Sequence, residues 1–500
     1  MLDFASSLTI GLPLIMKPSI LLLAFMGSLI GLVVGALPGL TSAMAVSVMI
    51  PLTYTLSPEQ AFALLLPAYA AGTFGGSIGA ILLNIPGTGA AIMTAFDGHP
   101  MRLRGEAGRA IGLAATSSLI GGLFSAFFLA AAAPLAARWA IQLGSHEYFS
   151  IAIFGLAIIA YISPSIIKGL TAGAFGLLLA TVGNDPAGAF PRYTFDQPDL
   201  VGGLTFVPVM IGLFGLAEVF WALEHQIAAR KPVRQKITGT VTSAWEVLRN
   251  YPVLIRSSII GLIIGVMPAS GPTIGSVVSY GMEKRIGKNR TQMGDGAPEG
   301  IIAAEAANNS GTGGALVPMM ALGIPGDAVT AILIGALLIH GLQPGPALFL
   351  QQPELVSSIF LLFILGNILF VAIGLGGLKY LLRVLETPPR YLIPIILAFC
   401  VVGAYASSNS VFDIAVLIIF GIVGYIMRKA SIPVAPLVLG FILGPLIEDN
   451  LRRALILDDG NPLGFLTRPL SATLIVAIVI LLISPALSKL VLGRTVKLEE

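Results

Sequence analysis

The sequence predicts an all-α polytopic membrane protein built as an inverted-topology internal repeat, with discontinuous helices and re-entrant hairpins. Three observations predict it. The 500 residues are 56% hydrophobic and only 11% charged, where soluble proteins are about 25% charged, and mean hydropathy is +0.92. Glycine and proline interrupt the apolar stretches at matching places in the two halves. Lys and Arg alternate between the connecting loops.

In chain order, Met1-Leu2-Asp3-Phe4 lacks a basic leader, so no removed signal peptide is expected. Residues 18–54 read as a hairpin turning near Pro38-Gly39, and 253–282 as its counterpart turning near Pro268. The match is Gly31-Leu-Val-Val-Gly35-Ala-Leu-Pro38-Gly39 with Gly261-Leu-Ile-Ile-Gly265-Val-Met-Pro268-Ala269, an offset of 230. Residues 61–96 and 300–340 must change sides, yet each carries a Gly-rich interruption: Gly72-Thr73 with Ile85-Pro86-Gly87, and Gly311-Thr312 with Ile324-Pro325-Gly326, both at an offset of 239. Ala110–Ala133, Leu200–Leu223 and Ser471–Leu490 approach the roughly 20 apolar residues that cross a bilayer. In all, about 11–13 membrane segments are expected. The halves are residues 1–230 and 253–500, joined by a basic linker, 231–252.

Orientation follows from Lys and Arg alone. Loop 97–109 carries Arg102, Arg104 and Arg109, while its repeat partner 341–354 carries none. Loop 54–60 carries none, while its partner 283–299 carries Lys284, Arg285, Lys288 and Arg290. The richer member alternates with helix count, placing 134–146, 184–199 and 448–469 outside, and the linker and C-terminus in the cytoplasm. Opposite orientations of the two halves give this pattern.

Helix breaks are costly in hydrocarbon, because freed N–H and C=O groups find no water. Breaks at matching places of a repeat point to a transporter's substrate site. Pro38-Gly39 with Thr41-Ser42, and Ser270-Gly271 with Thr273, read as turns followed by helices with hydroxyl N-caps. Asn84-Ile-Pro-Gly87-Thr88 and Gly323-Ile-Pro-Gly-Asp327 supply a second pair. Each helix N-terminus contributes at most about 2 kcal/mol toward an anion, so several must converge on a carboxylate. The competing reading is packing, which suits the Gly27, Gly31 and Gly35 ladder better than it suits the turns.

Glu305-Ala-Ala-Asn308-Asn309-Ser310-Gly311-Thr312 gathers hard oxygen donors in an apolar region, suiting Na⁺ or a proton-linked network. Glu305 and Asp327 are acids flanked by apolar sequence, and such acids mark functional sites unless they reach an interface. Interfacial placement is expected for Glu218 and Asp413, and snorkelling for Arg256. The single cysteine, Cys400, and His99, His146, His225 and His340 show no metal-ligand spacing, so no transition metal is expected. No phosphate-cradling motif is present, no cofactor beyond a coupling ion is expected, and no nucleic-acid partner is indicated.

Gly35-Ala-Leu-Pro-Gly-Leu, Gly75-Gly-Ser-Ile, Asn84-Ile-Pro-Gly, Thr94-x-x-Asp97-Gly-His-Pro-Met101 and Glu305-Ala-Ala-Asn-Asn together resemble the TctA family, the large membrane subunits of tripartite tricarboxylate transporters. The resemblance covers nearly the whole chain. It implies a bacterial inner-membrane secondary transporter for organic carboxylates, citrate or a relative, coupled to Na⁺ or H⁺. It implies two partners, a small membrane subunit of the TctB type and a periplasmic binding protein of the TctC type. Phe74 stands where the family often has Tyr, and Asp327 where small residues are common; both bear on substrate identity. The alternatives are a stand-alone permease or channel, and a membrane-embedded enzyme, which would need a nucleophile–base pair at depth.

Overall fold

The computed structural model describes residues 4–37, 39–163, 165–185, 188, 190–224, 242–268, 271–385, 387 and 389–492. Pro38, Ser270, the first half of the linker and the last eight residues lie outside them. The chain is an all-α polytopic membrane protein. Eight of its described helices are long and apolar enough to span a bilayer, and six shorter apolar helices accompany them.

The first half opens with α1 (Phe4–Ile15), α2 (Pro18–Ala36) and α3 (Ser42–Met49). There follow α4 (Pro58–Leu83), α5 (Ala91–Leu103), α6 (Ala107–Ala140), α7 (Ser145–Ile162) and α8 (Ile166–Ala180). A short hairpin, β1 (Gly183–Asn184) and β2 (Pro191–Arg192), precedes α9 (Phe206–Met210), which runs through a π-turn into α10 (Ala217–Glu224). The second half holds α11 (Thr242–Arg249), α12 (Tyr251–Val266), α13 (Gly271–Ile286), α14 (Pro298–Leu322) and α15 (Ala328–Ile339). It continues with α16 (Pro346–Gln351), α17 (Pro353–Gly376), α18 (Leu378–Leu385), α19 (Pro389–Ser408) and α20 (Val411–Lys429). It closes with α21 (Val434–Leu457), α22 (Gly464–Thr467) and α23 (Pro469–Leu492).

Two compact units form, and each takes segments from both halves: 1–140 with 205–426, and 141–204 with 427–500. In the larger unit, small residues set the helix contacts. A methyl at Gly31 or Gly35 of α2 would overlap the carbonyl oxygens of Ala68 and Gly72 on α4. At the repeat positions, a methyl at Gly261 or Gly265 of α12 would overlap those of Ala307 and Gly311 on α14. Such approach of backbones is what small residues permit in a bilayer. Contacts also cross between halves in matching pairs: Gly121 of α6 packs on Ala306 of α14, and Gly366 of α17 packs on Pro67 of α4. Phe74 of α4 stacks on Phe370 of α17, ring centroids 5.0 Å apart.

The helix breaks occur where glycine and proline predict them, with one correction. Gly72-Thr73 and Gly311-Thr312 do not interrupt anything; they lie within the unbroken helices α4 and α14. Their glycines serve the close contacts just described, and their backbone groups stay in the helical ladder. The true breaks come a dozen residues later. Asn84 (φ 55°) and Gly323 (φ 72°) end α4 and α14 in the left-handed conformation, a common way to stop a helix.

The smaller unit comprises α7, α8, the β-hairpin and α21–α23. Here α8 meets α21 through Gly173, Gly176 and Gly440. Arg192 pairs with Glu448 at 2.6 Å, Arg452 with Asp185 at 2.7 Å, and His146 with Asp458 at 2.6 Å. Side chains of segments 184–199 and 448–469, assigned to one side by their Lys and Arg content, therefore meet in this unit.

Candidate functional site

The two hairpin tips are built alike. Leu37 and Met267 leave α2 and α12 with extended ψ, and each donates its N–H to the third residue back, Val34 and Ile264, at 3.1 Å. Thr41 then caps α3, its Oγ1 accepting the Met44 N–H at 3.1 Å, as the N-cap reading requires. Ser42 is buried with its Cβ beside Gly72 of α4. Gly271, at φ 57°, opens α13 in a conformation that side chains disfavour.

The loop between α4 and α5 joins these tips. Gly87 donates to the Gly76 carbonyl at 3.3 Å and packs on the Gly35 carbonyl. Thr88 Oγ1 accepts the Ala91 N–H at 3.3 Å. Gly89 sits against Thr273 at the start of α13: a Cβ there would lie 3.0 Å from Thr273 Cγ2. Ser276 Oγ of α13 donates to the Ala90 carbonyl at 2.9 Å. In the other direction, Gly271 lies beside Asp327, whose Cβ would be 3.0 Å from a Cβ at Gly271. Thr41, Ser42, Gly87, Thr88, Gly271, Thr273 and Asp327 are thus linked in one continuous set of contacts through α4. Asn84, Gly89 and Thr273 are exposed, and Gly39, Thr41 and Thr88 half-buried.

One expected anion position is already filled. Asp327 caps α15 itself: its Oδ1 accepts the Thr330 N–H at 2.7 Å, and its Oδ2 accepts the Tyr69 hydroxyl at 2.6 Å. A carboxylate at a helix start uses the N–H groups and the dipole that a ligand would need.

The oxygen-rich stretch divides into separate parts. Ser310 Oγ donates to the Ser258 carbonyl of α12 at 2.6 Å, and Thr312 Oγ1 to the Asn309 carbonyl at 2.6 Å. Gly311 packs under Pro272. Ser310 and Gly311 thus face α12 and α13, and the Thr312 hydroxyl bonds within its own helix. Asn308 is fully buried, and neither its amide nitrogen nor its oxygen has a partner; Asn309 Oδ1 is also unpartnered. Glu305 is fully buried among hydroxyls of three other helices: Ser77 of α4 donates to Oε1 at 2.5 Å, Thr94 of α5 also to Oε1, and Ser118 of α6 to Oε2 at 2.8 Å.

Tyr69, Ser118 and the roles of Ser77 and Thr94 are absent from the sequence reading. The repeat offset of 239 could have found one of them, because it places Tyr69 on Asn308 and Thr88 on Asp327. Asp97 is likewise more than a motif residue: its buried Oδ1 accepts the N–H groups of Gly294, Gly296 and Ala297 at 2.8–2.9 Å, and its Oδ2 the Tyr280 hydroxyl at 2.8 Å. Arg256 pairs with Glu283 of α13. Asp413, in the first turn of α20, is buried and accepts from Ser407 and Ser408. Among the described residues no group of three His, Cys, Asp or Glu could hold a metal ion.

The model of the tripartite tricarboxylate transporter TctA family matches residues 21–439. An Agrobacterium vitis protein described as an uncharacterized 52.8 kDa protein in the TAR-I ttuC' 3'region is 36% identical over 476 residues, 95% of each chain. Another from the same organism, described as an uncharacterized protein in the TAR-II ttuC' 3'region, is 38% identical over 215 residues, 43% of this chain and 89% of its own. No solved structure matches.

Proposed function

The chain belongs to the tripartite tricarboxylate transporter TctA family, and from that premise we propose that it is the permease subunit of a binding-protein-dependent secondary carboxylate importer. The observation that carries the reading is the meeting of broken-helix ends from the two halves, Gly89 on Thr273, with Asp327 of the second half beside Gly271 at the same place. A tricarboxylate or a related di- or monocarboxylate binds there. Hydroxyls of Thr41, Ser42, Thr88 and Thr273, the Asn84 amide, and backbone N–H groups at Gly39 and Gly271 receive its oxygens, while Gly87, whose N–H is held by the Gly76 carbonyl, shapes the loop. Pro38 and Ser270 belong to the same turns but lie outside the described residues. With each helix end contributing up to about 2 kcal/mol, convergence matters more than any single residue.

A Na⁺ or H⁺ gradient drives uptake, and the buried polar groups of Glu305, Asn308, Asn309 and Asp327 serve the coupling ion. The two halves lie in opposite orientations in the bacterial inner membrane, with linker and C-terminus cytoplasmic. Rigid movement of one helix group against another alternates access. A small TctB-type membrane subunit and a periplasmic TctC-type protein complete the system.

Proteoliposomes holding all three subunits test this with labelled citrate and a panel of di- and monocarboxylates. Thr41→Ala, Thr273→Ala and Asn309→Ala are expected to weaken uptake tenfold or more. Unchanged affinity for substrate and cation in all three removes these residues from the site. Undiminished uptake without the soluble partner favours a stand-alone permease.

A further inference from the structure

We propose that Glu305 is a proton-carrying site, held by Ser77, Thr94 and Ser118, and that the proton it carries is the coupling ion. This rests on the transport reading above and narrows its coupling residues to Glu305, with Ser77, Thr94 and Ser118 added and the Asn308–Thr312 stretch set aside.

The carboxyl group is fully buried, and three hydroxyls are its side-chain partners. The nearby titratable groups are engaged elsewhere. On α5, Asp97 holds the loop before α14 and Tyr280 of α13, and His99 Nδ1 lies 3.1 Å from the Ile81 carbonyl. On α4, Tyr69 bonds Asp327; on α12, Arg256 pairs with Glu283 of α13; at the start of α6, Arg109 pairs with Glu106 and Glu246. A charge out of water and without a counterion costs several kcal/mol, so the site requires a neutralising proton or metal cation.

The distances favour a proton. A cation of the size of Na⁺ or Ca²⁺ stands roughly 2.3–2.6 Å from each ligand oxygen and spreads those oxygens apart. The hydroxyl oxygens of Ser77 and Ser118 lie 2.5 and 2.8 Å from the carboxylate oxygens, which is O–H···O hydrogen-bond separation. Hydrogen bonds at these separations suit a bound proton. A hydroxyl both donates and accepts. The same three side chains therefore serve the ionised form with three donated bonds, and the protonated form by turning one hydroxyl to accept. The hydroxyls come from α4, α5 and α6 of the first half, and the acid from α14 of the second. Loading one proton thus acts on the contact between halves, where alternating access needs it.

Infrared difference spectroscopy on the purified full chain in lipid nanodiscs tests the site without any substrate. Acidification is expected to raise a carboxylic-acid C=O band that Glu305→Gln lacks and Ser118→Ala shifts, with no change when NaCl replaces choline chloride at fixed pH. A band spectrum unaltered by both substitutions, or a Glu305 band removed by Na⁺, overturns the proposal. In proteoliposomes with the partner subunits, Glu305→Gln is expected to lose pH-gradient-driven citrate accumulation at least tenfold. Accumulation driven by a Na⁺ gradient alone, at equal pH, overturns proton coupling. Failure of wild-type exchange with every carboxylate tried counts against the transport reading, while the infrared result stands apart from it.

Discussion

The Tyr69 hydroxyl donates to Asp327 Oδ2 at 2.6 Å, tying α4 of the first half to the start of α15 in the second. The repeat maps this pair onto Asn308 and Thr88. On one side the positions hold a completed bond; on the other stands Asn308, whose buried amide has no partner. Two equivalent places are thus equipped differently, one closed by the protein's own carboxylate and one left with unsatisfied polar atoms. Buried amides left unmatched cost about 1–3 kcal/mol, which suits a place where a ligand or ion completes the set.

Tyr69→Phe removes the donor from a carboxyl group that also caps a helix. The expected loss is about 1.5–3 kcal/mol, read as a lower unfolding temperature in detergent. Hydrogen exchange is expected to rise at residues 328–332. Wild-type exchange at those amides would show that Tyr69 does not hold the cap.

Gly31→Ala and Gly265→Ala place a methyl on the Ala68 and Gly311 carbonyls. Each is expected to cost about 1–3 kcal/mol and to lower the folded yield. Gly281 provides the contrast, since a Cβ there meets nothing within 4 Å. Gly281→Ala is expected to be neutral or to stabilise by up to about 1 kcal/mol. Fluorescence-detected size-exclusion and thermal unfolding check both, and equal tolerance at all three sites would refute the packing described.

Asp97→Ala leaves the N–H groups of Gly294, Gly296 and Ala297 without their shared acceptor. Loss of a buried charge-assisted network is expected to cost about 3 kcal/mol or more. Asp97→Asn, which keeps an acceptor oxygen, is expected to cost less. Limited proteolysis within 287–297 reads the difference; equal cleavage of wild type and Asp97→Ala would contradict the anchoring role.

The sequence made the helix breaks legible because Pro-Gly pairs beside polar residues are costly in a bilayer and recur at fixed offsets. Pro38-Gly39, Pro268, Asn84–Gly87 and Gly323–Gly326 were readable in this way. Gly72 and Gly311 misled, since the same residue type also lets helix backbones touch. The hydroxyls around Glu305 were not legible. Ser and Thr are common in apolar spans, and only packing among α4, α5, α6 and α14 shows that three of them face one acid. Nor does residue order reveal that each compact unit takes segments from both halves, because that depends on which surfaces fit.

The meeting of the two tips is tested most directly with Gly89→Cys combined with Thr273→Cys. A Cβ at Gly89 would stand 3.7 Å from Thr273 Cβ, within the span of a disulfide, and the native Cys400 is buried. Mild oxidation in proteoliposomes holding all three subunits is expected to form an intramolecular bond, abolish carboxylate uptake, and allow full recovery on reduction. Saturating substrate is expected to slow the cross-link. Failure of the bond to form, or uptake that continues unchanged across it, would contradict a substrate site built where these helix ends converge.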